Sequence, residues 1–219
     1  RLTGKPCKMR YDRDDDMMIT GKRHDFRIAY DVGFDEVGRI AGVDFIQHTR
    51  CGWAQDLSLP VADRAMLHAD NAYLLENARI ESHRLKTNTQ SATAYRGFGG
   101  PQGVVGIERV LDHIAHELGR DPLDMRRINY YDPMVKGAET SGDGSSRKTK
   151  PQTTPYGMQV EDFILHEMTE ALEVSSDYRA RRAAVAQWNA NNRVLKKGIA
   201  LTPVKFGISF TLTHLNQAG

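Results

Sequence analysis

From Phe26 to Phe34 every second residue is apolar: Phe26, Ile28, Tyr30, Val32 and Phe34 alternate with Arg27, Ala29, Asp31 and Gly33. A period of two puts the apolar set on one face of a β-strand. Such a face is stable only under a cover, so this pattern commits the chain to a sheet with something packed on it. Asp35-Glu36-Val37-Gly38 reads as the turn that follows, rich in residues that tolerate tight backbone. The return strand carries Ile40, Val43 and Phe45, and their odd spacing predicts a bulge at Ala41-Gly42. The cover comes later in the chain. Val104, Ile107, Leu111, Ile114 and Leu118 are spaced alternately three and four apart, which is one stripe of an α-helix. Pro101 opens that helix and Gly119 closes it.

Other segments fill in around these two. Residues 60–69, opened by Pro60, predict a short helix in which Arg64 sits among Val61, Ala65, Met66 and Leu67. A guanidinium in that setting needs a partner or a solvated cavity. Residues 78–86 read as a strand, and Asp121-Pro122 restarts a helix through Met125 and Ile128. Cys7 to Tyr11 reads as a short strand, and residues 194–213 turn strand-like again. Before that last stretch, one helix carries Val160, Phe163, Ile164, Met168, Ala171 and Leu172. A second runs from a Ser175-Ser176-Asp177 cap past Arg181 to Trp188. Residues 132–157 are rich in Gly, Ser and Lys, which is linker chemistry. Strands and helices mix without regular βαβ alternation, so the expected class is α+β.

The bulk properties exclude several functions. Among 219 residues, 40% are hydrophobic and 26% charged, which is neither a disordered tail, a collagen nor a coiled coil. The formal net charge of +2 leaves no footprint for nucleic acid or an anionic membrane. No apolar run approaches the ~20 residues of a membrane span. Cys7 and Cys51 form no CxxC pair, so a reducing, cytoplasmic setting is expected. The chain opens at Arg1-Leu2-Thr3 and stops just after a strand-like pattern, so an internal piece of something longer is expected.

Two sets of metal-capable residues have simpler explanations. Asp14-Asp15-Asp16 before Met17-Met18-Ile19 suits a helix start, with Gly21 as the C-cap. His113 and His116 lie three apart on the striped helix, without a third ligand. No metal ligand is assigned. The distinctive chemistry is Arg96-Gly97-Phe98-Gly99-Gly100-Pro101. Its glycines let a backbone approach a ligand, and it runs into a helix N-terminus, where free N–H groups favour an anion. Arg96 adds a bidentate donor and Phe98 a flat face for a planar ring. Neither a P-loop nor a GxGxxG is present. The alternative is that the glycines only make a tight turn.

Four blocks carry a resemblance. They are Asp12-Arg13-Asp14-Asp15-Asp16-Met17 with Thr20 to His24; Asp63-Arg64-Ala65-Met66-Leu67-His68; Thr93-Ala94-Tyr95-Arg96-Gly97-Phe98-Gly99-Gly100-Pro101-Gln102-Gly103; and Lys205-Phe206-Gly207-Ile208-Ser209-Phe210-Thr211 with Leu215 to Gly219. Together they resemble the molybdopterin-binding part of the xanthine dehydrogenase family, in its bacterial form. The resemblance implies part of a two-lobed cofactor-binding domain. Residues 1–131 would be the C-terminal half of a first subdomain, 132–157 a linker, 158–193 connecting helices, and 194–219 the start of a second subdomain.

The resemblance also implies a hydroxylase of purines, taking hypoxanthine to xanthine to urate at a molybdenum–molybdopterin centre. A glutamate base activates a metal-bound hydroxide there, and electrons leave through [2Fe-2S] clusters and FAD to NAD. Arg64 matches the arginine that binds the purine and stabilises its charge. Phe98 matches the aromatic stacked on the purine face, Phe210 the one meeting its edge, and Thr211 a neighbouring substrate contact. Arg96, with Tyr95 and Gly97, matches positions beside the cofactor, Tyr95 standing where the pattern often has Phe. The glutamate base and the glutamine-bearing cofactor motifs fall outside these 219 residues. Expected partners are the purine, an FAD/iron–sulfur subunit or domain, and further copies in an oligomer. A hydroxylase of aldehydes or other N-heterocycles is the first alternative. The second is a fold element that is inactive in isolation. Without the family, Arg64 reads as a partner of Asp63 or Asp70, and Phe210 as a core strand residue beside Ile208.

Overall fold

The computed structural model describes residues 2–132 and 152–207. In chain order the elements are α1 (Arg13–Ile19), β1 (Phe26–Phe34), β2 (Ile40–Gly52), α2 (Ser58–Leu67), β3 (Ala78–Lys86), α3 (Gly100–Glu117), α4 (Pro122–Ile128), α5 (Leu165–Ser175) and α6 (Tyr178–Asn191). The three strands form one sheet, in the order β1-β2-β3. This is the expected α+β class.

β1 alternates half-buried and exposed residues along its whole length, as its period of two requires. It pairs antiparallel with β2 through the turn at Asp35, where Gly38 takes φ +94. The register slips between Gly33 and Phe34, because Gly33 faces Gly42 while Phe34 faces Ile40. Ala41 is the extra residue, so the bulge lies where the spacing placed it. β3 has the predicted bounds but runs parallel to β2, so α2 is the crossover of a single βαβ unit.

α3 supplies the cover. Ile107, Val110, Leu111 and Ile114 are each 1% exposed or less, and they join Val43 and Phe45 of the sheet in one core. Gly119, at φ +63, ends the helix, and the Arg120 N–H reaches back to Ala115 O at 2.8 Å. Asp121 caps α4 by accepting from Leu123 N–H.

Several expectations need correction. Cys7 to Tyr11 is an exposed, irregular segment; only three of its residues are apolar, and no strand among the described residues pairs with it. α2 starts at Ser58, two residues before Pro60, because the Ser58 hydroxyl is buried against His24 Nε2 at 2.7 Å. α1 does start on its acidic run, with Asp12 accepting from Asp15 N–H at 2.8 Å. Its C-cap is Thr20; a Cβ on the following Gly21 would stand 2.6 Å from Thr93 Cγ2, so that glycine serves close packing. α5 begins only at Leu165, leaving Val160, Phe163 and Ile164 ahead of it. Asp177 occupies the N-cap of α6 at φ +51 without a side-chain cap bond. Residues 194–207 form no strand, and 208–213 lie outside the described residues.

Candidate substrate and cofactor site

The glycine-rich segment is a turn of three consecutive left-handed residues: Gly97 at φ +91, Phe98 at φ +50 and Gly99 at φ +96. Glycine takes this region freely. Phe98 does so at a cost, of order 1–2 kcal/mol, that the surrounding contacts must offset. The glycines beside it pack on α2. A Cβ on Gly99 would overlap the Val61 carbonyl oxygen, and one on Gly103 would overlap that of Ala65. The glycines thus do two things at once: they bend the loop, and they let α3 lie directly on the backbone of α2. The tight-turn reading and the ligand-loop reading are compatible.

That seam brings the predicted residues together. Arg64, Tyr95, Arg96, Gly97 and Phe98 line one cavity of about 410 Å³ with Ala94, Phe206 and Gly207. Phe210 and Thr211 lie outside the described residues. The volume falls in the usual range for small-molecule sites.

Arg64 does not pair with either carboxylate expected of it. Asp63 holds Arg84 at 2.8 Å, and Asp70 holds Lys205 at 2.5 Å. The Arg64 guanidinium instead lies over the Phe206 ring, 4.6 Å from its centroid, and Nη2 donates to Gly207 O. Burial pulls its pKa below the usual arginine value, yet an arginine retains its charge under such shifts. His68, one turn on, has Nδ1 2.9 Å from Arg64 O and its ring 5.1 Å from that of Phe206. Burial lowers the His68 pKa, and the nearby charges of Arg64 and Lys205 add to this.

On the loop side, Arg23 donates to Arg96 O at 2.7 Å and lies 4.4 Å from the centroid of the Tyr95 ring. The α1–β1 connection therefore buttresses the glycine turn. The Arg96 side chain is exposed. The sequence did not single out Phe206, Gly207, His68 or Arg23 as site residues. The signal for the first two was their place in the same block as Phe210.

The comparisons with known proteins bear on this geometry. Residues 1–130 match the molybdopterin cofactor-binding domain. The chain belongs to that family. It is 40% identical over 215 residues to xanthine dehydrogenase of Drosophila subobscura, covering 98% of this chain and 15% of that protein. It is also 40% identical to xanthine dehydrogenase of Oryza sativa subsp. japonica, covering 98% of this chain and 14% of the relative. The fold matches the aldehyde oxidoreductase of Desulfovibrio desulfuricans with a TM-score of 0.68 and 24% identity, covering 85% of this chain and 18% of the other. The chain thus spans about 15% of the length of the curated relatives it matches.

The residues suit the cofactor that the family binds. A pterin with an anionic phosphate arm needs bare backbone, cationic donors and a cavity beside them. The Gly97–Gly99 turn, the exposed Arg96 and the adjoining cavity provide these. Among the described residues no cluster of three or more His, Cys, Asp or Glu forms a metal site. No described helix is long and apolar enough to cross a membrane.

Proposed function

We propose that this chain forms part of the substrate and cofactor site of a purine hydroxylase, which converts hypoxanthine to xanthine and xanthine to urate. The observation that carries the reading is the convergence of Arg64 with Arg96, Gly97 and Phe98 on one cavity, from segments more than 30 residues apart in the sequence.

When bound, molybdenum–molybdopterin supplies the redox chemistry that places oxygen on the purine carbon. The chain's own residues bind and orient. Arg64 is a fixed, half-buried cation, preset by its contacts to Phe206 and Gly207. A purine carbonyl placed against it is held by charge-assisted hydrogen bonds, and negative charge developing on the ring is stabilised without reorganisation. Phe98, locked in its left-handed conformation, offers its face to the heterocycle. Arg96, Tyr95 and Gly97 hold the cofactor's edge of the cavity. The roles of Phe210 and Thr211 rest on the resemblance alone.

The complete protein would pass its electrons through [2Fe-2S] and FAD groups, on another domain or subunit, to NAD, and would work as an oligomer in the cytoplasm. The test is Arg64→Met in the complete enzyme, with molybdenum content checked. We expect kcat/KM for xanthine to fall about 100-fold or more, with aldehyde turnover kept. Unchanged xanthine turnover contradicts the purine assignment.

A further inference from the structure

The segment that carries Phe206 and Gly207 is fastened to the end of α2 by a compact polar clamp. Asn71 takes a left-handed backbone, φ +44, just past that helix. From there its side chain binds the segment twice: Nδ2 donates to Pro203 O at 2.9 Å, and Oδ1 accepts from Lys205 N–H at 2.9 Å. Next to it, Asp70 receives the Lys205 ammonium at 2.5 Å, and Lys205 Nζ also lies 3.0 Å from the Tyr156 hydroxyl. Asp70 is 1% exposed and Asn71 fully buried. Asn71 is itself fixed by Glu108 at 2.8 Å, and Glu108 is held by the buried Arg126 at 2.7 Å.

A buried carboxylate with a single ammonium partner contributes little to stability by comparison with apolar residues of the same volume. What it does specify is register. Lys205 is fixed at main chain and side chain, and the next two residues are those that meet Arg64. A slip of one position would move both the Phe206 ring and the Gly207 carbonyl away from the guanidinium.

We propose that Asp70, Asn71 and Lys205 are positioning residues for Arg64: they hold the 203–207 segment so that Phe206 and Gly207 preset the guanidinium for the purine. The proposal rests on the purine reading and deepens it. It gives the clamp no direct contact with substrate.

The experiment is a mutant cycle in the complete enzyme. Steady-state kinetics with xanthine and the dissociation constant for urate are measured for Arg64→Met, for Asp70→Asn/Lys205→Gln, and for all three changes together. Replacing both members of the pair avoids a buried unpaired charge. We expect the pair replacement to lower kcat/KM and urate affinity about tenfold or more, since small misplacements of a binding group are costly. In the Arg64→Met background the same replacement should lower neither any further, because the effect runs through Arg64. Equal losses in both backgrounds, or no loss in the native background, overturn the inference. A neutral Arg64→Met variant instead overturns the purine reading itself. If the pair replacement does not fold, Asn71→Ser, which frees Pro203 O but keeps the Asp70–Lys205 pair, is carried through the same cycle. A loss confined to the native background then supports the inference, and equal losses or none overturn it.

Discussion

The α2–α3 seam and the α5–α6 hairpin hold helices together by opposite means. At the seam, helix meets helix through backbone, with Gly99 and Gly103 lying on the carbonyls of Val61 and Ala65. Polar groups there are buried and joined, as in Glu108 with Asn71, Tyr73 and Arg126. Around α5 and α6, beside a buried Thr169–Tyr130 hydrogen bond, many of the links are ion pairs made by partly exposed arginines. Arg179 reaches Asp124 at 2.7 Å as well as Glu173, Arg127 meets Glu173 at 2.7 Å, and Arg182 meets Asp121. Met168, Leu172 and Val174 remain more than half exposed. Steric and buried polar contacts fix geometry to within fractions of an ångström, whereas exposed ion pairs tolerate drift and are screened by salt. The ligand-facing loop sits on the first kind of support. The contrast explains why: a left-handed Phe98 keeps its place only where its neighbours cannot relax.

The largest effect expected from this contrast is at Gly99. Gly99→Val places a branched side chain at φ +96 and into the Val61 carbonyl, so it should cost about 3 kcal/mol or more. Urea unfolding of the complete protein checks this; a loss under about 1 kcal/mol would mean that the seam is loose. The buried pair comes next. Arg126→Met leaves the Glu108 charge, at 12% side-chain exposure, without its cation and should cost about 3–5 kcal/mol by the same measurement.

A pH effect follows from the seam's histidines. Burial is the main cause of the lowered pKa of both His24 and His68. Below their unfolded value of 6.5, the unfolded chain binds protons that the folded one resists. Their contribution to stability is therefore complete above that pH and is lost as the pH falls below it. The urea midpoint should drop on acidification through that range, and His68→Gln should flatten the drop. A flat native profile contradicts this. The smallest effect belongs to the other region: Arg179→Ala should cost under about 1 kcal/mol, and most of that should vanish in 1 M salt. A loss as large as that of Arg126→Met would erase the distinction between the regions.

What the sequence revealed follows the same division. β1, the bulge at Ala41, β3 and the stripe of α3 were readable because each buries one face with a fixed period. The parallel course of β3 was not, since strand direction depends on the path of α2 rather than on any local pattern. Arg64, Arg96 and Phe98 were singled out as candidates through short blocks that resemble the family. Phe206 was not, because it is 39% exposed, shows no burial period, and owes its position to Asp70 and Asn71, more than 130 residues earlier in the chain. The clamp itself reads in sequence as ordinary polar residues after a helix. Only the folded path shows that Asp70 answers Lys205 and leaves Arg64 to the cavity.

If Arg64 and Phe98 grip a purine, it sits in the cavity they share with Phe206. A structure of the complete protein with bound urate tests it most directly. The heterocycle is expected stacked on Phe98 at about 3.5–4 Å, with a ring oxygen substituent within about 3 Å of the Arg64 guanidinium. Urate bound elsewhere, away from the Arg64 guanidinium and the Phe98 ring, would contradict it.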